Sequence, residues 1–478
     1  MSKKYVGLES IVGPLVFVRG ATDVSYDEFV NIKIGGETRH GRVVRIENDL
    51  VAIEVFQGTS DISTSNAISE FTGEPVMIKL SKEILGRTFN GSGIPIDGLK
   101  EIFVDEKRDI NGYPLNPVSR VYPRDFIQTG ISSIDLLTTL IRGQKLPIFS
   151  GSGLPHNELA VSIVKHANLS KKDEKFCIVF CAMGVKNDVA DYFKQSFLEA
   201  GVMSRVVMFL NLANDPIIER TMAPRASLTC AEYLAYTLGY HVLVIMSDMT
   251  SYAEALRELS SSKGEIPGRK GFPGYLYSDL ASLYERAGIV KGAKGSVTQI
   301  PILTMPNDDI THPIPDLTGY ITEGQIVLSR DLHQKGLFPP IGILPSLSRL
   351  MKDGIGEGYT RIDHQAVANQ IFACYSSVID ARSLASVIGE DELSPKDKKI
   401  LEFGKLFESQ FISQLDDSNR TIIDTLELGW DLLSILPKED LNRIDEKTLN
   451  EHYNPTRSAV RFNLKTKNIT EYSLDEEN

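Results

Sequence analysis

The chain has 478 residues and a formal net charge of −12, with 51 Lys and Arg against 63 Asp and Glu. Its 42% hydrophobic and 24% charged residues are typical of a globular protein and exclude a disordered or fibrous chain. At roughly 150 residues per domain, the length allows about three domains. The acidic balance argues against a nucleic-acid binder, because phosphate contacts require a basic surface.

The first 75 residues have β character and predict a small N-terminal β-barrel or sandwich. Short β-branched runs are separated by turn residues and lie at 15–20, 28–34, 41–49 and 50–56. We find no catalytic cluster in this region. Residues 86–130 contain many Gly, Pro and Asn residues, which predicts a linker that wraps a larger domain.

From about residue 131 to 350, predicted strands alternate with predicted helices. Strands are predicted at 146–149, 175–183, 205–212 and 241–248, and helices at 185–200, 223–238 and 252–259. Nearly continuous apolar strands between helices predict an α/β domain with a parallel sheet covered on both faces. Ligands bind such sheets at the carboxyl ends of the strands, where Gly151 and Asp248 both fall.

The C-terminal part, from about residue 360, is predicted to be helical. Apolar residues at helical spacing form two segments, Ile371, Phe372, Tyr375, Val378 and Ile379, then Ile400, Leu401, Phe403, Phe407, Phe411, Ile412 and Leu415. A helix start is predicted at Ser394, Trp430 is predicted in the core, and residues beyond about 455 are predicted to form a loose tail. The predicted domains are therefore 1–75, 76–355 and 356–478.

The cysteines and the apolar runs indicate the compartment. The four cysteines lack metal-ligand spacing, and Cys177 and Cys181 lie in an apolar strand, so we expect buried thiols. No signal peptide is visible, and the apolar runs fall short of the ~18 residues of a membrane span. We expect a soluble, intracellular protein.

The segment from Lys145 to Ala167 has the outline of a phosphate-binding loop without the groups that bind phosphate. Such a loop reads G-x-x-x-x-G-K-[ST], in which Lys neutralises phosphate oxygens and the hydroxyl ligates Mg²⁺. Only the first glycine, Gly151, fits. His156 replaces the second glycine of the motif, Asn157 replaces its lysine and Glu158 replaces its Ser or Thr. Because a carboxylate there would repel Mg·ATP, the sequence predicts a nucleotide-binding fold that has lost its nucleotide.

Two further features have both a structural and a functional interpretation. Asp248 ends an apolar strand, where P-loop ATPases keep the acid that holds Mg²⁺, but it also precedes a helix that it would cap. The Gly- and Pro-rich segment 264–275 fits a surface or interface loop better than a phosphate cradle. His156 and His166 share no carboxylate pattern, so we expect no metal site.

Arg349 lies in a loop at the predicted edge of the α/β domain. On spacing alone it is one surface arginine among many. An arginine at such an edge also fits an arginine finger, which reaches into a neighbouring subunit's ATP site and contributes roughly 10³ to 10⁵ in rate.

Several runs of the sequence resemble the B subunit of V-type and archaeal-type rotary ATPases. They are FQGTSDI (56–62), RTFNGSGIPIDG (87–98) and the segments 131–160, 261–288, 315–326 and 344–358. GLPHNE and PSLSRLM, within the third and last of them, are specific to that subunit. The resemblance extends from near the N-terminus to about residue 430.

The resemblance implies a fold, a function and a set of partners. It implies an N-terminal β-barrel, a central RecA-like α/β domain and a C-terminal helical domain. Three non-catalytic B subunits would alternate with three catalytic A subunits around a central stalk, together with peripheral stalk subunits. The complex would be cytoplasmic and peripheral to the membrane, which it meets only through its ion-translocating rotor, and the helix after Glu390 would face the stalk.

The resemblance also implies site residues. Arg349 would be the arginine finger for the A-subunit site, with Ser346 and Ser348 shaping its loop. Tyr320 and the 264–274 loop would line the A–B interface. Mg·ATP would bind at that interface and no cofactor to this chain alone, with weak or no binding at Gly151, Asn157 and Glu158.

Two alternatives remain open from the sequence. The chain would be an ATPase by itself if an unorthodox loop bound phosphate and Asp248 held the metal. An RNA-driven RecA-like hexamer is disfavoured by the acidic charge and by the lack of a basic, aromatic platform.

Overall fold

The computed structural model describes residues 3–169, 173–415 and 418–464, and it divides the chain into two units. The first consists of Met1–Tyr122 and Asp173–Thr322, and the second of Pro123–Lys172 and Glu323–Asn478. The predicted tail beyond residue 464 lies outside the described residues. The domain limits 1–75, 76–355 and 356–478 stay a prediction.

The first unit begins with a seven-stranded antiparallel sheet. In spatial order its strands are Lys3–Val6, Ile68–Pro75, Glu28–Ile34, Glu37–Glu47, Leu50–Val55, Leu15–Arg19 and Ser10–Val12. Alternate residues such as Val16, Val18, Val30 and Ile32 point to one face and are fully or almost fully buried. The four predicted runs form strands. Sequence patterns missed three others, Lys3–Val6, Ser10–Val12 and Ile68–Pro75.

One buried carboxylate joins this N-terminal sheet to the rest of the unit. Glu54 is fully buried and lies 3.0 Å from the Arg42 Nε and 3.1 Å from the Lys263 Nζ. Burial opposes the ionisation of Glu54, but the two cations outweigh burial and lower its pKa. Because Lys263 directly follows the helix Met249–Ser262, the ion triad fixes that helix end to the sheet.

The main sheet of the first unit is parallel. In spatial order its strands are Ser296–Met305, His241–Ser247, Phe176–Val185, Val206–Leu212 and Thr88–Asn90. Gly288–Val290 pairs antiparallel with both Ser296–Met305 and Arg120–Val121, and Met77–Leu80 pairs with Glu106–Asp109. The helices are Asn187–Glu199, Ile217–Glu232, Met249–Ser262, Leu276–Tyr284 and Pro313–Ile321.

The sequence predictions for this sheet hold with two corrections. The segment 86–130 is not only a linker, because Thr88–Asn90 pairs with Val206–Leu212 inside the parallel sheet. The helix predicted at 223–238 begins at Ile217, where Glu219 and Arg220 interrupt the apolar pattern. Cys177 and Cys181 are fully buried as predicted, and burial raises the pKa of Cys181 to about 12.

The second unit contains three paired strands, the first of which leads into the phosphate-loop segment. Ile148–Gly151 pairs parallel with Gly324–Leu328, which pairs antiparallel with Ile341–Ser348. A smaller sheet consists of Phe126–Gln128, Leu140–Ile141 and Asn168–Leu169, and the helices in these segments are Ser132–Leu137, His156–His166 and Arg330–Gln334. The first strand begins two residues later than predicted and ends on Gly151.

The C-terminal segment of this unit is helical, as predicted. Its helices are His364–Ile388, Pro395–Leu406, Ile422–Leu433, Glu446–His452 and Pro455–Arg461. Ser394 caps its helix by accepting a hydrogen bond from the Asp397 N–H. Trp430 is 1% exposed and donates from Nε1 to the Asp363 carboxylate at 2.6 Å, which confirms its core position.

Two predictions for this segment are wrong, the loose tail and the helical position of Leu415. Residues just beyond 455 are not a loose tail, because Pro455 begins a helix whose cap, Asn454, accepts from the Arg457 N–H. Leu415 lies beyond the end of the helical residues and is 85% exposed, and Phe372 and Ile379 are 43% and 38% exposed although they follow the apolar spacing. The apolar stripe of the helix His364–Ile388 therefore extends past its buried face.

One described helix, His364–Ile388, passes the length and composition test for a membrane span, with a mean hydropathy of 1.3. A core helix of a globular protein passes the same test. Here the Tyr375 hydroxyl and the Arg382 guanidinium both bond to Glu408, so polar contacts tie this helix to its neighbours.

Candidate functional site

The degenerate phosphate loop connects the strand Ile148–Gly151 to the helix His156–His166. The His156 Nδ1 lies 3.0 Å from the Ser150 Oγ, so the imidazole that replaces the second glycine folds back onto the strand end. Asn157 is half-buried and Glu158 is exposed in the first helical turn. Gly151 therefore ends the strand, and Asn157 and Glu158 lie in the first turn of the helix that follows.

The chemistry of this loop disfavours phosphate. The position of the catalytic lysine holds a neutral amide, and the carboxylate of Glu158 adds negative charge at the helix N-terminus. Such a carboxylate interacts favourably with the helix dipole and competes with an anionic ligand for it. Arg330 donates from Nη2 to the Ser152 carbonyl oxygen at 3.0 Å, so at least one of its N–H groups is spent on holding the loop.

Asp248 follows the strand His241–Ser247 in the first unit and caps the helix Met249–Ser262. Its carboxylate accepts hydrogen bonds from the backbone N–H groups of Thr250, at 2.8 Å, and Thr304, at 3.1 Å. The capping role that the sequence left open is therefore present. The same contact ties the helix start to the end of the neighbouring strand Ser296–Met305.

The 264–275 loop lies against the helix Pro313–Ile321 within the first unit. Arg269 pairs with Asp316 at 3.1 Å and donates to the Thr311 carbonyl, and Lys270 pairs with Asp309 at 3.3 Å. Tyr320, on the last turn of that helix, is 75% exposed, and its hydroxyl has no hydrogen-bond partner among the described residues. The loop and Tyr320 thus belong to the solvent-facing surface of this unit.

Arg349 comes directly after the strand Ile341–Ser348 in the second unit. Its side chain is exposed and makes no hydrogen bond or ion pair with any residue that the structure describes. Its backbone, in contrast, is held, because the Arg349 N–H donates to the Glu323 carbonyl at 2.9 Å. The guanidinium is thus free to engage a group outside this chain from a fixed main-chain position.

Ser346 and Ser348, which were predicted to shape a loop, lie in the strand itself, and their hydroxyls fix its path. Four residues, 343–346, bulge out of the ladder between its paired positions. The Ser346 hydroxyl stabilises this bulge, because it accepts a hydrogen bond from the Val327 N–H and donates one to the Gly342 carbonyl. The Ser348 hydroxyl donates to the Thr139 carbonyl at 3.0 Å.

The sequence analysis did not identify Gln144 and Lys145, which contact the residues next to Arg349 and its backbone partner Glu323. Gln144 and Lys145 are buried polar residues, and Lys145 forms an ion pair with Glu323 at 2.6 Å. The signal was visible as a glutamine and a lysine directly before an apolar strand, in RGQKLPIF. Buried polar groups need partners, and such residues therefore mark a structured site.

Three family models match the chain. They are the ATP synthase alpha/beta family β-barrel domain at residues 8–73, the nucleotide-binding domain of the same family at 130–348, and the C-terminal domain of V and A type ATP synthase at 353–453. Together they define the class of the chain as a member of the ATP synthase alpha/beta family.

Relatives narrow the class. The chain is 62% identical over 456 residues to V-type ATP synthase beta chain 2 of Clostridium tetani, covering 95% of this chain and 99% of the relative. It is 54% identical over 458 residues to the B subunit of the A-type ATP synthase of Aeropyrum pernix, with 96% and 99% covered. A solved ATP synthase subunit from Nanoarcheaum equitans is 39% identical with a TM-score of 0.70, covering 88% of this chain and 98% of that one.

The chain therefore belongs to the B subunits, or beta chains, of the V-type and A-type ATP synthases. This confirms the resemblance and the predicted fold class, an N-terminal β-barrel, a central RecA-like α/β domain and a C-terminal helical domain. As a member it is part of a multi-subunit rotary ATPase complex.

Proposed function

We propose that this chain is the non-catalytic, regulatory B subunit of its complex and supplies Arg349 as an arginine finger to the ATP site of a catalytic A subunit. Three A and three B subunits would alternate in a ring. The observation that carries the proposal is the exposed guanidinium of Arg349, which has no partner among the described residues although its backbone is pinned.

The degenerate loop supports the non-catalytic part of the proposal. Asn157 stands where a P-loop needs its lysine, and Glu158 stands where it needs a hydroxyl for Mg²⁺. The His156 side chain bonds to Ser150, and the Leu154 and His156 N–H groups donate to the Gly151 and Leu154 carbonyls, so these two N–H groups are not free to bind phosphate. Asp248 is engaged as a helix cap, which gives it a role without a metal.

The chemistry of phosphoryl transfer supports the finger. As the γ-phosphoryl group transfers, negative charge spreads over its oxygens, and a planar guanidinium spans two of them. Mg·ATP would bind at the interface with the A subunit, and the exposed Tyr320 and 264–275 loop would face that partner. The central stalk and the peripheral stalks would be further partners, and the chain would lie in the cytoplasm, peripheral to the membrane.

Substitution of Arg349 by Ala in a ring reconstituted with A subunits tests the proposal. We expect ATP turnover to fall by about 10³-fold or more, because the finger stabilises charge only in the transition state. Lys352→Ala is the matched control, since Lys352 is an exposed cation three residues on, without a partner in the described part of the chain. Turnover of the Arg349→Ala ring within a few-fold of wild type, with the ring intact, would refute the finger.

A further inference from the structure

We propose that Gln144 is a positioning residue, which sets the location of Arg349 through Ser348 and Glu323. This inference rests on the proposed role of Arg349. Gln144 lies in the turn after the strand Leu140–Ile141, and its side chain is fully buried. It would act on the reaction only through the arginine, without touching ATP.

The amide of Gln144 is fully used. Its Oε1 accepts from the Ile141 N–H at 2.9 Å, inside its own turn. Its Nε2 donates to the Ser348 Oγ at 2.9 Å and to the Glu323 carbonyl oxygen at 3.3 Å. A primary amide offers two N–H donors and one carbonyl, and all three have partners here.

Both acceptors of Gln144 control the main chain at residue 349. Ser348 is the residue before Arg349, and the Glu323 carbonyl is the acceptor of the Arg349 N–H at 2.9 Å. One buried side chain therefore bonds to the covalent neighbour of the arginine and to its backbone anchor. The Ser348 hydroxyl in turn donates a hydrogen bond to the Thr139 carbonyl, which links it to the segment before Gln144.

A second contact fixes Glu323 to the same turn. The Glu323 carboxylate accepts from the Lys145 N–H at 2.8 Å and pairs with the Lys145 Nζ at 2.6 Å. The Lys145 side chain is only 3% exposed and that of Glu323 is 27% exposed, so the ammonium group of this ion pair is shielded from solvent. The adjacent residues Gln144 and Lys145 thus both bond to Glu323, one to its carbonyl and the other to its carboxylate. Because the Glu323 carbonyl also accepts from the Arg349 N–H, the main chain of Arg349 has little freedom to shift.

Substitution of Gln144 by Leu removes the link while keeping a side chain of similar size. In the reconstituted ring we expect kcat for ATP hydrolysis to fall by about 10- to 100-fold, because a displacement of the Arg349 side chain by ~1 Å can lower the rate by up to about 100-fold. We expect KM to stay within about twofold, since the finger acts in the transition state.

The discriminating measurement is a double-mutant cycle with Arg349→Ala. If Gln144 acts through the arginine, Gln144→Leu lowers turnover less than about twofold further when Arg349 is already Ala. The control is Gln370→Leu, because Gln370 is another buried glutamine whose amide makes three hydrogen bonds, among the C-terminal helices. That variant should lose stability without losing kcat in the assembled ring.

The outcomes separate this inference from the proposed function. If Arg349→Ala lowers turnover strongly but Gln144→Leu does not, the positioning role is refuted and the arginine finger is retained. The same conclusion follows if Gln144→Leu lowers turnover equally with Arg349 and with Ala at position 349. An Arg349→Ala ring with near wild-type turnover overturns both. If Gln144→Leu prevents ring assembly, Ser348→Ala severs the same link more gently, and an unchanged kcat for that variant overturns the inference.

Discussion

Gly324 lies so close to the strand Ile341–Ser348, which leads into Arg349, that an added methyl group should displace this strand. Gly324 pairs with Ser348 across the antiparallel ladder and has a φ of +141°. A Cβ built on it would lie 2.2 Å from the Leu347 carbonyl oxygen and 3.0 Å from the Ser348 Cα. Because nonbonded heavy atoms prefer separations of about 3.5 Å, the two strands would have to part by roughly 1 Å.

Gly324→Ala should therefore affect both stability and turnover. The strained φ and the forced repacking should lower the free energy of unfolding by about 2–4 kcal/mol. A shift of about 1 Å in the arginine's main chain should lower the kcat of the reconstituted ring by about 100-fold. The assays are urea unfolding of the isolated chain and steady-state ATP hydrolysis by the ring.

Gly36→Ala separates backbone strain from the clash. Gly36 has a φ of +120°, and nothing lies within 4 Å of a Cβ at that position. The control should lose part of the stability and none of the turnover. A Gly324→Ala ring with wild-type kcat would show that the spacing of these two strands does not set the position of Arg349, which would refute the prediction.

Two further predictions concern ligand binding and pH. Calorimetric titration of Mg·ATP into the isolated chain should show no saturable heat up to about 1 mM, and tight one-to-one binding would refute the non-catalytic role. His364 is fully buried with both ring nitrogens hydrogen-bonded, and burial lowers its pKa from 6.5 to about 4. Neutral His364 therefore contributes its full share to the free energy of unfolding above pH 6.5. This contribution, about 3 kcal/mol, is lost as the pH falls toward 4. Urea unfolding across this range checks it, and an equal pH slope in His364→Gln would contradict it.

The sequence predicted the strands and helices whose patterns are long and regular. The strands Val206–Leu212 and His241–Ser247 fall within a residue of their predicted bounds. Each is an unbroken apolar run, and the polar residues on either side mark where the strand begins and ends. The Asp248 cap and the core position of Trp430 were also predictable, since each follows from a residue type at a definite place in a pattern.

The elements that were missed are short or depend on distant partners. Thr88–Asn90 contains three residues, too few for a period, and it becomes a strand only by pairing with Val206–Leu212 more than a hundred residues away. The support of Arg349 by Gln144 and Glu323 likewise joins segments far apart in the chain. Patterns read along one sequence report local periodicity, and such pairings are set by tertiary contact.

The Glu54 triad limits how freely the N-terminal sheet could be exchanged for another. The carboxylate comes from that sheet and Lys263 from the segment beyond the helix Met249–Ser262, and the Lys263 side chain is only 20% exposed. Excision of the first 75 residues would strip this ammonium of its counter-ion, and a transplanted sheet would need an acid at the same place. The sheet is therefore not freely interchangeable, because any replacement must supply the carboxylate that neutralises Lys263.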